Sequence, residues 1–199
     1  LARLEHILLV FFEEGWGYYI RKSKLSSHLP FHKKIVPVHE ISTKELQAQA
    51  LRRAFERLGP TFLKLGQLLS QRPDLVPAEY VQEFTQCQDH VPPFPFEEVK
   101  SIVEHELHRP LAILFKHFDQ KPLAAASIAQ VHKAQLPNGK IVAVKVQRPQ
   151  VENLITRDLD ILFYIAHALE KRFPDMQVYR PLAIVKEFAL WTRRELNFE

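Results

Sequence analysis

The feature that most constrains the fold is a pair of predicted strands joined by a strong turn signal. The other apolar patterns of the sequence are helical, so this pair adds a sheet to a mainly helical chain. The strands span residues 128–136 and 141–147, and Pro137-Asn138-Gly139 lies between them. An Asn-Gly pair between two strands favours a tight hairpin. A further strand is predicted over 115–123. The sequence therefore predicts a small antiparallel sheet.

Helical periodicity accounts for most of the remaining chain. An amphipathic helix is predicted over 3–20, and a basic linker containing two prolines follows over 21–42. Ser42 or Thr43 is expected to cap the next helix. The later helices are predicted at about 43–58, from 60, at 77–87, 95–107 and 151–173, and from 181.

Gly59 and Pro60 mark the boundary between two of these helices, since glycine favours helix ends and proline favours the first helical turn. Gly66 lies inside the second of them, where glycine costs about 1 kcal/mol relative to alanine. A close packing contact at Gly66 is therefore predicted.

Composition narrows the class of protein. Apolar residues make up 46% of the 199 positions, as in ordinary globular proteins, and the net charge of +4 is too mild to predict a nucleic-acid partner. The single cysteine excludes an internal disulfide and a cysteine-rich zinc site. No apolar run approaches the roughly 18 residues of a spanning helix. The chain begins at Leu1 and ends at Glu199 within a predicted helix, so it is expected to be a piece of a longer protein.

The second strand of the hairpin carries the first chemical signal. Its Val142-Ala143-Val144-Lys145 matches the strand on which protein kinases place a lysine that reaches the nucleotide phosphates. Kinases cover those phosphates with a loop of pattern G-x-G-x-x-G-x-V. Residues 124–131 fit this frame with alanine at every glycine position, and Lys145 follows Val131 by 14 positions.

Alanine in place of glycine restricts the backbone conformations of such a loop. Glycine permits positive φ and a close approach of backbone N–H groups to phosphate, whereas the Cβ of alanine disfavours both. The loop is therefore expected to be stiffer than a kinase loop and to lie differently over a nucleotide. A simpler interpretation is that 124–129 is a tight apolar turn in a small sheet.

Four blocks of sequence together resemble the UbiB family of atypical kinase-like proteins, in its bacterial quinone-biosynthesis branch. The blocks are residues 58–67, 71–77, 122–132 and 142–149. The resemblance implies an α+β fold with the small antiparallel sheet of a protein-kinase-like N-lobe, wrapped by a largely helical N-terminal extension. It divides the chain into an amphipathic helix and basic linker over 1–41, a helical extension with the family's K-x-G-Q signature over 42–110, and the N-lobe, without its C-lobe, over 111–199.

The resemblance also assigns roles. Lys145 corresponds to the lysine that binds the nucleotide phosphates. Lys64 and Gln67 correspond to a pair that folds over the active site, and Glu195 to the acidic residue that contacts their helix. We expect Lys64 and Glu195 to form an ion pair. The other implied nucleotide-binding residues are Ala124, Ala125, Ala126, Ser127, Ala129, Val131 and Ala143.

The implied cofactors are ATP and Mg²⁺, and the metal ligands and catalytic-loop residues of a kinase are expected outside this sequence. By itself the chain is therefore expected to lack catalysis. The family implies a role in ubiquinone biosynthesis at the cytoplasmic face of the bacterial inner membrane, with other quinone-biosynthesis proteins or lipid precursors as partners. Asn197 replaces the Asp of many relatives, and Ala129 replaces their Gly.

Other interpretations stay open. The chain fits a helical accessory module that binds a membrane or a partner and uses its nucleotide site for regulation. The aromatic-rich residues 1–41 fit an interfacial helix as well as a docking helix. His105 and His108 share a helix face, which is a weak zinc signal. Cys87 near His90 resembles a nucleophile pair, although an inert thiol explains it equally.

Overall fold

The computed structural model describes residues 2–29, 43–87 and 92–197 of the chain. The chain forms two compact units. We call Leu1–Gln88 with Glu152–Glu199 the helical unit, and Asp89–Val151 the sheet unit. The predicted boundary near residue 41 lies outside the described residues, and the division into three segments stays a prediction.

The helical unit is built from seven α-helices among its described residues, and short 3₁₀ and π segments connect some of them. The α-helices are α1 (Ala2–Phe11), α2 (Gly17–Lys22), α3 (Lys44–Leu58), α4 (Pro60–Ser70), α5 (Ala78–Phe84), α8 (Val151–Arg172, whose first residue belongs to the sheet unit) and α9 (Pro181–Leu196). The 3₁₀ segments are Leu25–His28 and Pro174–Tyr179.

The single helix predicted over 3–20 is wrong, because the chain kinks between α1 and α2. A π-helical segment, Phe12–Trp16, separates the two helices, and Gly15 within it has a φ of +98°. A positive φ interrupts an α-helix and is easily adopted by glycine. The predicted linker over 21–42 is also partly helical, since α2 continues to Lys22 and a 3₁₀ turn follows. The rest of that linker, 30–42, lies outside the described residues.

Arg3 attaches α1 to two other helices of the same unit. Its guanidinium forms two hydrogen bonds of 2.8 Å with the carboxylate of Asp158 on α8. A third, of 3.0 Å, reaches the carbonyl oxygen of Leu58 at the end of α3. The Asp158 side chain is fully buried. A buried carboxylate needs such paired donors, so these contacts fix the position of α1.

The junction between α3 and α4 follows the sequence prediction. Thr43 caps α3, with its Oγ1 accepting a hydrogen bond of 3.3 Å from the backbone N–H of Leu46. Gly59 ends α3 with a φ of +91°, and Pro60 is the first residue of α4. Residue type alone predicts the cap, the glycine at the helix end and the proline at the next helix start. The structure confirms all three.

Within the sheet unit, the described residues 92–151 form two helices and a four-stranded antiparallel sheet. Its elements are α6 (Phe96–Leu107), α7 (Leu111–Leu114), β1 (His117–Phe118), β2 (Ala124–Ala125), β3 (Ala129–Gln135) and β4 (Ile141–Gln147). Strand β3 is central, with β4 along one edge and both β1 and β2 along the other. The predicted α+β class with a small antiparallel sheet is confirmed.

The continuous strand predicted over 115–123 is wrong, since the chain pairs with β3 only in two short pieces. β1 pairs with the end of β3, and β2 pairs with its beginning. Pro122 lies in the gap between them. Proline has no N–H to donate to a strand ladder, which explains the interruption.

The hairpin between β3 and β4 forms as predicted. Their register pairs Gln135 with Ile141 and continues without a break to Ala129 opposite Gln147. Gly139 adopts a φ of +86° in the turn. The backbone N–H of Leu136 closes the turn by donating to the carbonyl oxygen of Lys140 at 2.9 Å.

One face of the sheet packs with α6 and α7 around a single core. Its buried members are Phe94, Val99, Val103, Leu111, Phe115, Phe118, Ala134 and Val146. Because side chains alternate along a strand, every second side chain of β3 and β4 lies on the opposite face, away from this core.

A buried polar network lies within this core. The Gln130 side chain accepts a hydrogen bond of 3.1 Å from the backbone N–H of Phe94 and donates one of 3.2 Å to its carbonyl oxygen. The fully buried His132 lies next to it, with Nε2 3.0 Å from the Gln130 amide nitrogen and Nδ1 2.8 Å from the carbonyl oxygen of Asp119. That carbonyl only accepts, so Nδ1 donates to it, and Nε2 accepts from the Gln130 amide.

Candidate functional site

Lys145 lies on the face of β4 that points away from the core of the sheet unit. Val142, Val144 and Val146 pack into that core. Lys145, which alternates with them, is exposed. The strand alternation predicted from Val142-Ala143-Val144-Lys145 thus places the one charged side chain of β4 on the outer face.

Small apolar residues surround Lys145 on this face. Val131 of β3 is its direct cross-strand partner, and Ala124 of β2 pairs with Val131 in turn. Ala143 precedes Lys145 by two positions and shares its face. Cross-strand partners have Cβ atoms about 5 Å apart. We call the four residues Ala124, Val131, Ala143 and Lys145 the lysine face.

The lysine face combines the cation of Lys145 with small side chains. The side chains of Ala124 and Ala143 end at Cβ, and both residues are exposed. A flat aromatic ring or a sugar can lie against such small side chains, while an ammonium beside them attracts an anion. The four side chains of the lysine face therefore suit a ligand that has a planar or apolar part and a phosphate.

The alanine loop turns tightly between β2 and β3. The backbone N–H of Ala126 donates to the carbonyl oxygen of Ala129 at 2.8 Å. The Ser127 and Ile128 side chains within the turn are buried. None of residues 124–129, all of which are described, has a positive φ. The loop thus uses only conformations that alanine adopts without strain, as the alanine-for-glycine pattern predicts.

Arg148 holds this loop from the residue that follows β4. Its backbone N–H donates to the carbonyl oxygen of Ile128 at 2.8 Å, and its guanidinium donates to that of Ala126 at 3.3 Å. The same guanidinium nitrogen reaches the carbonyl oxygen of Pro92 at 3.0 Å. Sequence reasoning missed this role, although Arg148 lies in one of the four blocks that carry the family resemblance.

Lys64 and Glu195 form the predicted ion pair within the helical unit. Lys64 lies on α4 and Glu195 on α9, and the Lys64 side chain is only 6% exposed. Its Nζ also lies 4.8 Å from the centre of the Trp191 ring. A carboxylate and an aromatic face together compensate the burial of this ammonium.

Gln67 follows Lys64 by less than one turn of α4 and is half-buried. Its backbone carbonyl oxygen accepts a hydrogen bond of 2.7 Å from the Ser70 hydroxyl. The structure places Lys64, Gln67 and Glu195 in the helical unit, and Lys145 with the alanine loop in the sheet unit. That Lys64 and Gln67 fold over a nucleotide stays a prediction.

Two buried hydroxyls near the ion pair were not anticipated. Thr61 and Thr192 are both fully buried. They precede Lys64 and Glu195, respectively, by three positions, which is close to one helical turn. Neither hydroxyl has a hydrogen-bond partner among the described residues. No pattern in the sequence distinguishes these threonines from others in helices.

Arg72 gives a second charged link within the helical unit. It lies just after α4 and holds the carboxylate of Asp74 with bonds of 2.8 and 2.7 Å. It also pairs with Glu187 of α9. Its hydrogen bonds with Asp74 raise the pKa of the Arg72 guanidinium and lower that of the Asp74 carboxyl. Arg72 and Asp74 belong to the second resemblance block, so the link explains part of that block structurally.

Cys87 is a packing residue within the helical unit. Its side chain is buried, and burial raises the pKa of the thiol to about 11. Its sulfur lies 2.9 Å from where a Cβ on Gly66 would be, which confirms the predicted close contact at that glycine. A thiol with this pKa is protonated at neutral pH and is a poor nucleophile. His90, its suggested partner, lies outside the described residues.

The sequence also raised a metal signal and a membrane signal. Across residues 2–29, 43–87 and 92–197, no three His, Cys, Asp or Glu side chains are grouped as a metal site requires. His105 and His108 have their ring centres 6.5 Å apart. Within the same ranges, no helix combines the length and apolar character needed to span a bilayer.

Family comparison identifies the class of protein. Residues 86–199, more than half of the chain, match the ABC1 atypical kinase-like domain. The matched range includes the whole lysine face and the alanine loop. The chain belongs to this family of atypical kinase-like proteins, as the resemblance to the UbiB family predicts.

The relatives are considerably longer than this chain. The probable protein kinase UbiB of Marinobacter nauticus is 38% identical over 200 residues, which cover all of this chain and 37% of that protein. The chloroplastic ACTIVITY OF BC1 COMPLEX KINASE 3 of Arabidopsis thaliana is 44% identical over 153 residues, 76% of this chain and 21% of that protein. The chain thus spans well under half the length of the curated relatives it matches.

A solved structure, the complex of Rv3197 with erythromycin from Mycobacterium tuberculosis, is also similar. Its sequence identity to this chain is 28% and its TM-score is 0.46. The match covers 79% of this chain and 41% of that one.

Proposed function

We propose that the protein carrying this chain is an atypical kinase or ATPase that binds ATP on the lysine face. Lys145 would pair with the phosphates, and the alanine loop would cover them. The observation that carries this proposal is the register of β3 and β4. It sets Lys145 beside Val131 and Ala143 on an outer face, directly next to the loop.

The small side chains and the cation of the lysine face support this proposal. The short side chains of Ala124 and Ala143 leave room for a planar ring, and Lys145 supplies a cation for phosphate. When bound, ATP supplies the phosphoryl group that is hydrolysed or transferred. The residues described here bind and orient it, while the general base and the ligands of Mg²⁺ would come from the rest of a full-length protein.

The biological role is proposed from the family relationship. We place the protein in ubiquinone biosynthesis, associated with the cytoplasmic face of the bacterial inner membrane, with quinone-biosynthesis proteins or lipid precursors as partners. Support comes from the whole-chain similarity to a probable UbiB kinase. Deleting the gene is expected to lower the ubiquinone content of the cells, and reintroducing the wild-type gene to restore it. Unchanged ubiquinone after deletion would contradict this role.

Nucleotide binding is tested by titrating ATP with and without Mg²⁺ into the purified protein and into two lysine variants. Lys145→Ala should weaken binding at least about tenfold, because a charge-assisted hydrogen bond contributes about 1.5–3 kcal/mol. Lys133→Ala is the matched control, since Lys133 lies on the same face of the sheet, opposite Ala143, and is exposed. Equal ATP affinity in wild type and Lys145→Ala, or equal losses in both variants, would reject the proposed site.

A further inference from the structure

The alanine loop is fastened to the rest of the sheet unit by Arg148, the residue that follows β4. Its backbone N–H donates to the carbonyl oxygen of Ile128 at 2.8 Å, and one guanidinium nitrogen donates to that of Ala126 at 3.3 Å. These two carbonyl groups lie on either side of Ser127. One residue therefore holds the loop before and after its turn.

The same guanidinium nitrogen attaches the loop to the segment that leads into α6. It donates to the carbonyl oxygen of Pro92 at 3.0 Å, so a single nitrogen joins Pro92 to Ala126. The guanidinium carbon lies 5.3 Å from the centre of the Phe94 ring. A planar guanidinium can donate to acceptors at its edge and contact an aromatic ring with its face. The contacts thus fix both the position and the plane of this group.

The segment that leads into α6 also holds the strand after the loop. The Gln130 side chain bonds to the backbone N–H of Phe94 at 3.1 Å and to its carbonyl oxygen at 3.2 Å. Gln130 is 1% exposed. The loop is therefore anchored by Arg148 and, at its β3 end, by Gln130, and both anchors meet at Phe94. A connected set of buried hydrogen bonds fixes a geometry more firmly than its separate members.

Arg148 acts from the face of the sheet opposite to Lys145. Phe94 belongs to the buried core of the sheet unit, whereas Lys145 lies on the outer face. The Ala126 carbonyl oxygen, bonded to the guanidinium beside Phe94, is thus turned toward the core side. The carbonyl and N–H of a trans peptide group point in opposite directions. The N–H of Ser127, in the same peptide group, is therefore turned away from the guanidinium.

We propose that Arg148 is a positioning residue for the phosphates of the bound nucleotide, which it orients through the alanine loop without touching them. A backbone N–H attracts phosphate, whereas a carbonyl oxygen repels it. By holding the Ala126 carbonyl oxygen on the core side, Arg148 makes this peptide group present its N–H to a phosphate beside Lys145. The inference rests on the proposed nucleotide site. It assigns to Arg148 an effect on the phosphate part of the nucleotide and none on the nucleoside part.

Competition against a fluorescent ATP analogue, with the full-length protein, measures the affinities for ATP and for adenosine. Arg148→Met keeps an unbranched apolar stem and removes the donors. It should weaken ATP binding about tenfold, because the loop loses hydrogen bonds to a charged donor and its peptide group is free to turn. Adenosine, which has no phosphate, should bind the variant and the wild type equally.

Arg148→Lys is the conservative variant. One nitrogen of Arg148 makes both side-chain hydrogen bonds, and a lysine ammonium has enough protons to make the same two. Its ATP affinity should stay within about threefold of the wild-type value. Arg109→Met, at an exposed position between α6 and α7, is the matched control and should change neither affinity. If thermal unfolding shows that Arg148→Met does not fold, Arg148→Gln replaces it, because its side chain is too short to reach both carbonyl groups.

Two results would overturn the positioning role. One is equal ATP affinity in wild type and Arg148→Met, or a loss of ATP affinity in Arg148→Lys as large as in Arg148→Met. The other is an equal loss of ATP and adenosine affinity, which a general collapse of the lysine face would produce. If Lys145→Ala weakens ATP binding in the same assay, the nucleotide site stands in both cases. Absence of ATP binding by the wild type would reject the nucleotide site and this inference together.

Discussion

Lys64 shows how a single buried charge is tolerated in this chain. Its ammonium is 6% exposed and has two compensating neighbours, the Glu195 carboxylate and the Trp191 ring. The carboxylate is one-third exposed, so water shares part of the compensation. The family resemblance predicted the partner of Lys64, because it assigns roles to both Lys64 and Glu195. It did not predict the ring.

Removing the carboxylate should leave the ammonium poorly compensated. Glu195→Gln is expected to destabilise the protein by about 1–3 kcal/mol, less than for a fully buried pair. Urea unfolding measures the change. Lys64→Met together with Glu195→Gln should recover part of the loss, since the double variant buries no unpaired charge. Glu106→Gln, at an exposed site, serves as the control. Additive losses in the double variant would show that the pair is not coupled.

The thiol of Cys87 gives a pH prediction with a definite sign. Burial raises its pKa to about 11, above the value of about 8.5 in an unfolded chain. The folded state therefore binds the proton more tightly. This contribution to stability is complete below about pH 8.5 and is lost as pH rises toward 11.

Unfolding measured from pH 8 to 11 should therefore show a steeper loss of stability in the wild type than in Cys87→Ala. Iodoacetamide at pH 9 should also alkylate the native thiol slowly and the urea-unfolded thiol quickly. Equal alkylation rates in the two states would contradict the buried position.

At the scale of elements, sequence reasoning succeeded where a local signal decides the structure and failed where a distant contact does. Gly59, Pro60 and Gly139 fixed two helix ends and a hairpin, because each acts through its own backbone geometry. Apolar content alone predicted one continuous strand over 115–123. In the structure this strand is interrupted at Pro122. The loop-holding role of Arg148 depends on carbonyl groups 20 and 22 positions earlier, so no local pattern reveals it.

Gly66 lies where α4 packs closely against Phe55 of α3 and against Cys87, and this contact gives a clear stability prediction. A Cβ there would lie 2.9 Å from the Cys87 sulfur and 3.2 Å from a ring carbon of Phe55. Gly66→Ala should therefore destabilise the protein by about 1–2 kcal/mol, even though alanine favours a helix by about 1 kcal/mol. Thermal unfolding measures this. In a Cys87→Ala background the same change should cost much less, and an undiminished cost would contradict the packing explanation.

Glu14 links the π-helical segment to α3 through charges. Burial raises the pKa of its carboxyl, but hydrogen bonds from Arg53 and Arg57 and their charges outweigh burial, so the net pKa lies below the ordinary value. Stability from this group is present above the ordinary carboxyl pKa of about 4.3 and is lost as pH falls below it. Glu14→Gln should show a smaller loss of stability between pH 5 and 3 than wild type. Parallel curves for the two proteins would exclude the link.

At the scale of the whole molecule, the residues of the lysine face and those of the Lys64 pair lie in different compact units. The family resemblance named the members of both groups, and the turn signal predicted the hairpin between β3 and β4. Neither predicted the hydrogen bond from Arg148 to Pro92, because these residues are 56 positions apart in the chain. The proposed function rests on family membership, and the proposed nucleotide site rests on the lysine face.

The most direct test of the central claim is a two-dimensional amide NMR titration of the protein with ATP and Mg²⁺. The account predicts that the largest shifts fall on residues 124–131 and 143–145, and that they disappear in Lys145→Ala but persist in Lys133→Ala. Saturable ATP binding that leaves these amides unshifted, or shifts that survive in Lys145→Ala, would contradict it.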